Sequence, residues 1–466
     1  MIGSAAKGGG MSEDLLAQAE EQFVAGRFDA VADLCGELIA ADPKSHQAYY
    51  LLGRTCLALG RSEEALEMIG RAVEIAPSAA PYHTELGNLL ATTGDFERAA
   101  GAYFEAIRLA PDFIDPHVNL GAVLQLLGRR EECAAVYEKA IQLAPDAAML
   151  HYNLAMVHQA AGDMNAAVAG YKRAAELEPD WPELHRSLGN ALLLAGNAAE
   201  AIACIRKAIS LAASEPDMHV ELARALMVSG DTKGALATCD AYMASHRYHG
   251  AFIAARALIL NEMGSEAQAR RLFGLETFVQ TIEIKPPAAF GSIDAFDAAL
   301  AEEAAPFLSD VPLSQAVQLD ELQDTDMFFF RPGPAAALLM ERIEQAVQAY
   351  IEGLPDDPNH PLVANTPRRW RLSGRVGRFN ALADRTPHIR PTGWLSGIYI
   401  AGAPNGCLSY GTPPSEWQCQ SVCASREISP KAGEMVLFPS YLYHQTIPAD
   451  DESEQIYCAF DVVAQE

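Results

Sequence analysis

Along the first 250 residues, apolar and small side chains return at helical spacing, and the whole pattern returns every 34 residues. Prolines stand at positions 43, 77, 111, 145 and 179, each 34 beyond the last. In the same frame small residues recur early in the unit, at Ala19, Gly53, Gly87, Gly121, Ala155, Gly189 and Ala223. They recur again late in it, at Ala65, Ala99, Cys133, Ala167, Ala201 and Ala235, followed seven residues on by Ala72, Ala106, Ala140, Ala174 and Ala208. Two rows of small side chains per unit predict two helices in close approach. The proline closing segments such as AIRLAPD and AIQLAPD lacks the amide proton to continue a helix and disfavours helical geometry in the residue before it. The pattern therefore predicts helix pairs over residues 12–249 in seven units, the last two degraded because Ala213 and Arg247 fill the proline slot. Residues 250–275 keep helical periodicity and are expected to form a capping pair that shields the last apolar face. Residues 1–11, opening MIGSAAKGGG, are expected to be a disordered leader.

After residue 276 the 34-residue period vanishes. Prolines and glycines become frequent, and short runs rich in aromatic and β-branched residues alternate with them. One helix is expected over residues 335–354, and strands over 368–373, 394–400, 406–410, 434–438 and 456–463. The predicted class is multidomain: an all-α repeat array followed, over 276–466, by a mainly-β domain with a few flanking helices.

Charge narrows the partners. With 61 acids against 34 bases the net charge is −27, so the mean field repels a phosphate backbone and an anionic membrane surface, and neither nucleic acid nor membrane is expected as a partner. An acidic excess also serves solubility, and it would draw in a basic peptide or cationic protein surface. No apolar run reaches the length of a membrane span and the opening residues lack the apolar core of a secretory signal, so the expected compartment is the cytoplasm. Oligomeric state is not legible. Of the nine cysteines, those at 35, 56, 133, 204 and 239 fall in helical positions as small buried hydrophobes. Those five read as reduced thiols, whereas Cys419 and Cys423, close together with Cys407 upstream, lack the CxxC pair of a zinc site and are read as structural.

Residues 12–249 resemble the tetratricopeptide-repeat (TPR) family, whose stacked helix pairs form a solenoid that presents the first helix of each unit to a concave binding face. Projected onto that face, the frame gives Tyr50, Arg54, Asn88, Asn119, Tyr152, Asn153, Arg186, Asn190 and Arg224. Asparagine amides suit an extended peptide backbone and tyrosines add contact area at low entropy cost, so a protein or peptide is the expected partner. Histidines recur in the frame too, at 83, 117, 151, 185 and 219. Equivalent positions on neighbouring helices stand about 8–10 Å apart, too far for two rings to share one ion at about 2 Å each. The slot, Tyr49 in the second unit, is read as a flat ring packed between repeats.

In the second half, TPHIRPTGWLSGIYI and GEMVLFPSYLYHQTIPADDESEQIYCAFDVV each set a histidine beside a strand. These segments resemble the 2-oxoglutarate/iron(II) dioxygenases, and more narrowly a bacterial group in which a TPR array precedes an oxygenase domain bearing HxHPxGWLSGxYY, LFPSxxxHxxxP, an arginine and AFDVV. The resemblance covers roughly residues 310–466. It implies a double-stranded β-helix (jelly roll) with Trp394, Phe438, Pro439 and Phe460 packing the barrel, and iron(II) and 2-oxoglutarate as cofactors if the domain is active. Such enzymes use two histidines and usually a carboxylate, leaving three metal positions open. Carried over, His388 matches the first ligand and His444 the last. Arg390 stands where the group has its second histidine, and a guanidinium has no lone pair to give. Gln455 stands where the group has the arginine that clasps the cosubstrate, and Tyr399 is a further cosubstrate candidate. PLSQAVQLDELQ, from Pro312, looks like an altered PLxQSLRGGTQT segment, and Asp384 and Asp461 are candidates to replace the carboxylate. Two functions follow: a TPR binding protein whose β domain is inactive or weakly active, or a hydroxylase acting on a peptide held by the repeats. A third is a domain that holds another small anion through Arg390 and Gln455.

Overall fold

The computed structural model describes residues 6–213, 215–246, 248–308, 329, 332–379, 386–402, 406–448 and 455–465. The chain divides into two compact units, Met1–Ala195 and Gly196–Glu466.

The first unit holds α1 and α2 (Ala6–Val24, Phe28–Ala41), α3 and α4 (His46–Ala58, Ser62–Ile75), α5 and α6 (Ala80–Thr92, Phe96–Leu109), α7 and α8 (Ile114–Leu126, Arg130–Leu143), α9 and α10 (Ala148–Ala160, Met164–Leu177), and α11 (Pro182–Leu194). The small positions do what the period predicts. A Cβ on Gly53 would meet Ile69 Cγ1 at 2.5 Å, one on Gly87 would meet the Tyr103 ring at 2.6 Å, and one on Gly121 would collide with the Tyr137 ring. Each first helix thus leaves a notch that a large side chain of the second helix fills, and Tyr103, Tyr137 and Tyr171 are essentially fully buried. The leader expectation is corrected: α1 begins at Ala6, ahead of Met11, because once a helix is nucleated each added residue needs only one more hydrogen bond.

The histidine slot also acts differently from expectation. The Nε2 of His83, His151 and His185 donates to the carbonyl of the residue six back, Pro77, Pro145 and Pro179, at 2.9, 2.8 and 2.7 Å. In the second unit His219 reaches Ala213 O in the same way at 3.3 Å. The ring is a clip that satisfies an orphan carbonyl of the preceding helix end, as well as a packing surface. His117 uses Nδ1 instead, to Phe113 O at 2.8 Å.

In the second unit α12 (Ala198–Leu211), α13 (Pro216–Val228) and α14 (Thr232–Ser245) are followed by α15 (Gly250–Glu262), α16 (Glu266–Phe273) and the single turn α17 (Leu275–Phe278). A second 34-residue series explains the continuation. Glycines 26, 60, 94, 128, 162, 196, 230 and 264 all have φ between +70° and +90°, where a side chain is strained, and each opens the turn from a first helix to a second. Gly264 carries the same turn into α15 and α16, the helix pair expected over 250–275.

The pair is not an outer cap. Eleven residues of α15 are buried, and its apolar character runs all round the helix, as expected when both sides are covered. The covering comes from the β region. Gly250 N donates to Pro391 O at 3.2 Å, Asn261 Nδ2 to Val422 O at 3.3 Å, and Tyr441 Oη to Leu272 O of α16 at 2.8 Å.

That region carries β1 (Gln280–Glu283), α18 (Ile293–Ala304), α19 (Pro334–Glu352), α20 (Pro361–Ala364), β2 (Trp370–Phe379), β3 (Leu395–Ala401), β4 (Gly406–Tyr410), β5 (Arg426–Ile428), β6 (Glu434–Pro439), β7 (His444–Pro448) and β8 (Gln455–Ala464). Five strands form one antiparallel sheet in the order β1-β6-β3-β8-β2, and three form another in the order β5-β4-β7. The five expected strands are present. The short β1 and β5, which carry too few residues for a period-two signal, and β7, which ends on a strand-breaking proline, were not foreseen. Among the described residues no helix is long and apolar enough to cross a membrane.

Candidate functional site

The larger sheet sorts side chains by register. Ser396 on β3 pairs with Phe438 on β6 and Asp461 on β8, and Asp461 pairs in turn with Ser373 on β2, so these four share one face. Arg375, two residues beyond Ser373, belongs to the same face. The Phe438 ring stands 4.6 Å from the ring of His444, which places the histidine over this face.

His388 and His444 meet as a two-residue antiparallel bridge: His388 N donates to His444 O at 3.0 Å and His444 N to His388 O at 2.9 Å. Their rings lie 4.3 Å apart. Each Nδ1 faces a carbonyl two residues back, Thr386 O at 3.2 Å for His388 and Leu442 O at 3.0 Å for His444. A carbonyl only accepts, so the proton sits on Nδ1 and the lone pair on Nε2, the tautomer of a metal ligand or a general base. His444 Nε2 is buried and has no hydrogen-bond partner among the described residues. Burial first, then His388, Arg390 and Arg375, holds the His444 imidazole well below its ordinary pKa, so it is neutral near pH 7.

Arg390 does not act as a ligand. Its Nη1 donates to Asp461 Oδ2 at 2.9 Å, and its backbone N to Ser440 O at 2.8 Å. Asp461 is committed on both oxygens, since Ser396 Oγ donates to Oδ1 at 2.5 Å. Gly393 makes room for this network, because a Cβ there would stand 2.5 Å from Ser440 Oγ. The expectation that Asp461 replaces the missing carboxylate is therefore corrected: both of its oxygens are held, one by Arg390 and one by Ser396. Asp384 and the Pro312 segment lie outside the described residues, as does the side chain of Gln455, whose backbone heads β8 opposite Phe379.

Tyr399 is also corrected. Three residues beyond Ser396 on one strand, it points to the opposite face, where its hydroxyl donates to Asp297 Oδ1 of α18 at 2.5 Å. It is a buried structural hydroxyl, away from the histidines. Arg375 was missed in the sequence. Its signal was the alternation in WRLSGRVGR, which sets Arg371, Ser373 and Arg375 on one face of β2.

These residues fit iron poorly. Two imidazoles whose Nδ1 atoms face carbonyls could offer Nε2 to a metal, but Arg390 stands close enough to lower the His444 pKa, and a guanidinium near a divalent ion repels it. Among the described residues no group of three or more His, Cys, Asp or Glu side chains is placed to hold a metal ion.

In the first unit, Tyr50, Asn88 and Asn119 line one cavity of about 300 Å³ together with Thr84, Glu85 and Asp115. The amides are less available than expected: Asn88 Oδ1 accepts from both Tyr103 Oη and Asn119 Nδ2, each at 2.8 Å. Asn153 likewise bonds the buried Tyr137 hydroxyl. Arg54 lies over the Phe23 ring at 4.6 Å, and the Tyr152 hydroxyl meets Ser187 Oγ at 3.2 Å. Arg186 pairs with Glu183 at 3.0 Å, and Asn190 is half-buried on α11. In the second unit, the half-buried Arg224 of α13 lies close enough to Tyr443 to oppose the upward shift that burial gives that phenol.

Family models described as "Tetratricopeptide repeat" match residues 23–89, 114–147, 152–216 and 186–249, and one described as "Putative 2OG-Fe(II) oxygenase" matches residues 378–461. Among solved structures, MamA from Desulfovibrio magneticus RS-1 is 22% identical, covering 37% of this chain and 97% of its own at a TM-score of 0.35. YrrB, described as a TPR protein with an unusual peptide-binding site, is 19% identical over 40% of this chain and 95% of its own, at a TM-score of 0.37. A tetratricopeptide repeat protein from Parabacteroides merdae is 15% identical over 49% of this chain and 91% of its own, at a TM-score of 0.40. No curated protein matches the chain.

Proposed function

For a chain that carries tetratricopeptide repeats over 23–249 and a 2OG-Fe(II) oxygenase-type domain at 378–461, we propose a protein-interaction function in which the repeats hold a peptide and the second domain has lost its iron chemistry. One observation carries the second half of this reading: Arg390, at the position of a ligand, is ion-paired with Asp461, the acid nearest to hand. The cavity around Tyr50, Asn88 and Asn119 supports the first half, since it joins an aromatic wall to amide and carboxylate groups that suit a peptide with a basic side chain.

The test is anaerobic addition of iron(II) to the purified chain, followed by titration with 2-oxoglutarate while the weak visible charge-transfer band is monitored. No band and no metal-dependent rise in melting temperature are expected. A band that disappears in His444→Ala would overturn the proposal. For the repeats, capture of a basic peptide by the full chain is expected to weaken in Tyr50→Ala.

The buried, unpartnered Nε2 of His444 favours a second reading, a hydroxylase that binds metal through two histidines and acts on a peptide held by the repeats. In that reading His388 and His444 would hold iron, which would supply oxygen activation, and Arg375 would lie beside an anionic cosubstrate.

A further inference from the structure

Between β4 and β5 the chain runs out from Gly411 and comes back to its starting point at Ala424. The two ends are so close that a Cβ on Gly411, where φ is +91°, would collide with the Ala424 carbonyl oxygen. Inside this closed loop Cys419 and Cys423 stand four residues apart, close enough that each thiol influences the other's ionisation. Both are free and neither is fully buried, so a small reagent can reach them.

The loop is held from two sides. Asn261 Nδ2, in the last turn of α15, stands 3.6 Å from Cys423 Sγ and 3.3 Å from Val422 O, while Ser421 N donates to Glu262 Oε1 at 2.8 Å. On the other side Trp417 is buried and hydrogen-bonded to Tyr443, the residue before His444, and Gly411 N donates to Tyr443 O at 2.8 Å.

We infer that Cys419 and Cys423 form a reversible dithiol–disulfide site. The two thiols are neighbours within a short loop whose ends are fixed, so little conformational entropy is lost on closing a bond between them. The roles differ, because Asn261 Nδ2 donates to Cys423 Sγ at 3.6 Å and so favours negative charge on that sulfur. Cys423 is the attacking thiolate and Cys419 the resolving thiol.

With hydrogen peroxide as oxidant, Cys423 sulfur attacks one oxygen, the O–O bond breaks, hydroxide leaves and a sulfenic acid forms. Cys419 sulfur then attacks that sulfenic sulfur, the S–O bond breaks, and the hydroxyl leaves with the Cys419 proton as water. Two electrons pass from the thiol pair to the peroxide, which ends as two waters once the hydroxide is protonated. A dithiol reductant reverses the step. The new bond, about 2.05 Å long, draws in a loop that is tied through Trp417 and Tyr443 to the histidine pair.

The experiment uses the reduced full chain, exposed to rising peroxide, alkylated, and mapped by peptide mass. With alkylation carried out after unfolding in denaturant, the expected product is one internal link between Cys419 and Cys423, with the other seven of the nine cysteines alkylated, and full reversal by dithiothreitol. In Cys419→Ser a 1,3-dione probe should label Cys423, and in Cys423→Ser it should leave Cys419 unlabelled. The inference is overturned if peroxide oxidises other thiols of the chain while these two remain reduced, or if the probe labels Cys419. The map of the unsubstituted chain decides the matter even if a serine variant does not fold.

Discussion

Arg390 and Asp461, 71 residues apart in the chain, meet in an ion pair of 2.9 Å whose side chains are only 17% and 19% exposed. The pair ties the segment that follows His388 to β8. Arg390→Ala leaves Asp461 with Ser396 as a hydrogen-bond donor and no compensating charge. The expected loss of stability in urea unfolding is about 2 kcal/mol, between the limits for exposed and fully buried pairs. Arg390→Lys should recover part of it, because the charge remains while the planar donor geometry is lost. A neutral result for Arg390→Ala would show that the pair is not structural.

Tyr399→Phe tests which face of the sheet this residue serves. It removes the donor to Asp297, a carboxyl only 4% exposed whose other oxygen accepts from Gly402 N at 2.7 Å. The expected cost is about 1–3 kcal/mol, the penalty for a buried acceptor left short of a partner. Binding of 2-oxoglutarate or any small anion, measured by calorimetry, should be unchanged.

His360 gives a pH signature. Its Nδ1 accepts from Leu362 N at 3.2 Å and its Nε2 donates to Arg271 O at 3.1 Å, so both ring nitrogens are committed to one neutral tautomer. Burial, the main cause, lowers its pKa, against the opposing pull of the Arg271 carbonyl and Asp357. The unfolded ring takes up a proton near pH 6.5 and the folded ring only at lower pH. The contribution is therefore complete above about pH 6.5 and is lost as pH falls below it, by at most about 1.4 kcal/mol per pH unit. His249 and His444 have the same sign. In His360→Phe the acid side of the stability profile should be shallower than in the parent chain, as followed by urea midpoints between pH 7.5 and 5.5.

Two glycines of the repeats should fail differently. Gly94 sits at φ +83° with open space around it, so Gly94→Ala costs only backbone strain, about 1–2 kcal/mol. Gly121 is helical and faces the Tyr137 ring, so Gly121→Ala forces a buried phenol aside. Adding Tyr137→Phe should not rescue Gly121→Ala, whereas Tyr137→Leu should in part. Thermal melts of the four variants separate strain from overpacking.

The repeat half was legible because its determinants are local. Proline ends a helix and a small residue admits a neighbour, whatever the rest of the chain does. The glycine series ending at Gly264 was equally plain in the sequence and marks the turn within the helix pair expected over 250–275. In the β domain β1 and β5 are too short for alternation, and β7 ends on a strand-breaking proline, so these three were lost. The site was half legible. His388 and His444 stood out by their flanking segments, but the partnership of Arg390 with Asp461 depends on register between distant strands, which no local pattern encodes. Tyr399 was misplaced although the strand period from Ser396 already assigned it to the other face.

The helix α15, apolar on every side, belongs at once to the repeat frame and to the core of the β domain. Heat or denaturant therefore cannot melt it away from one without undoing the other. Within Gly196–Glu466 the final repeat and the strands should lose their native amide protection in a single cooperative step, a foldon whose boundary ignores the boundary between the two architectures.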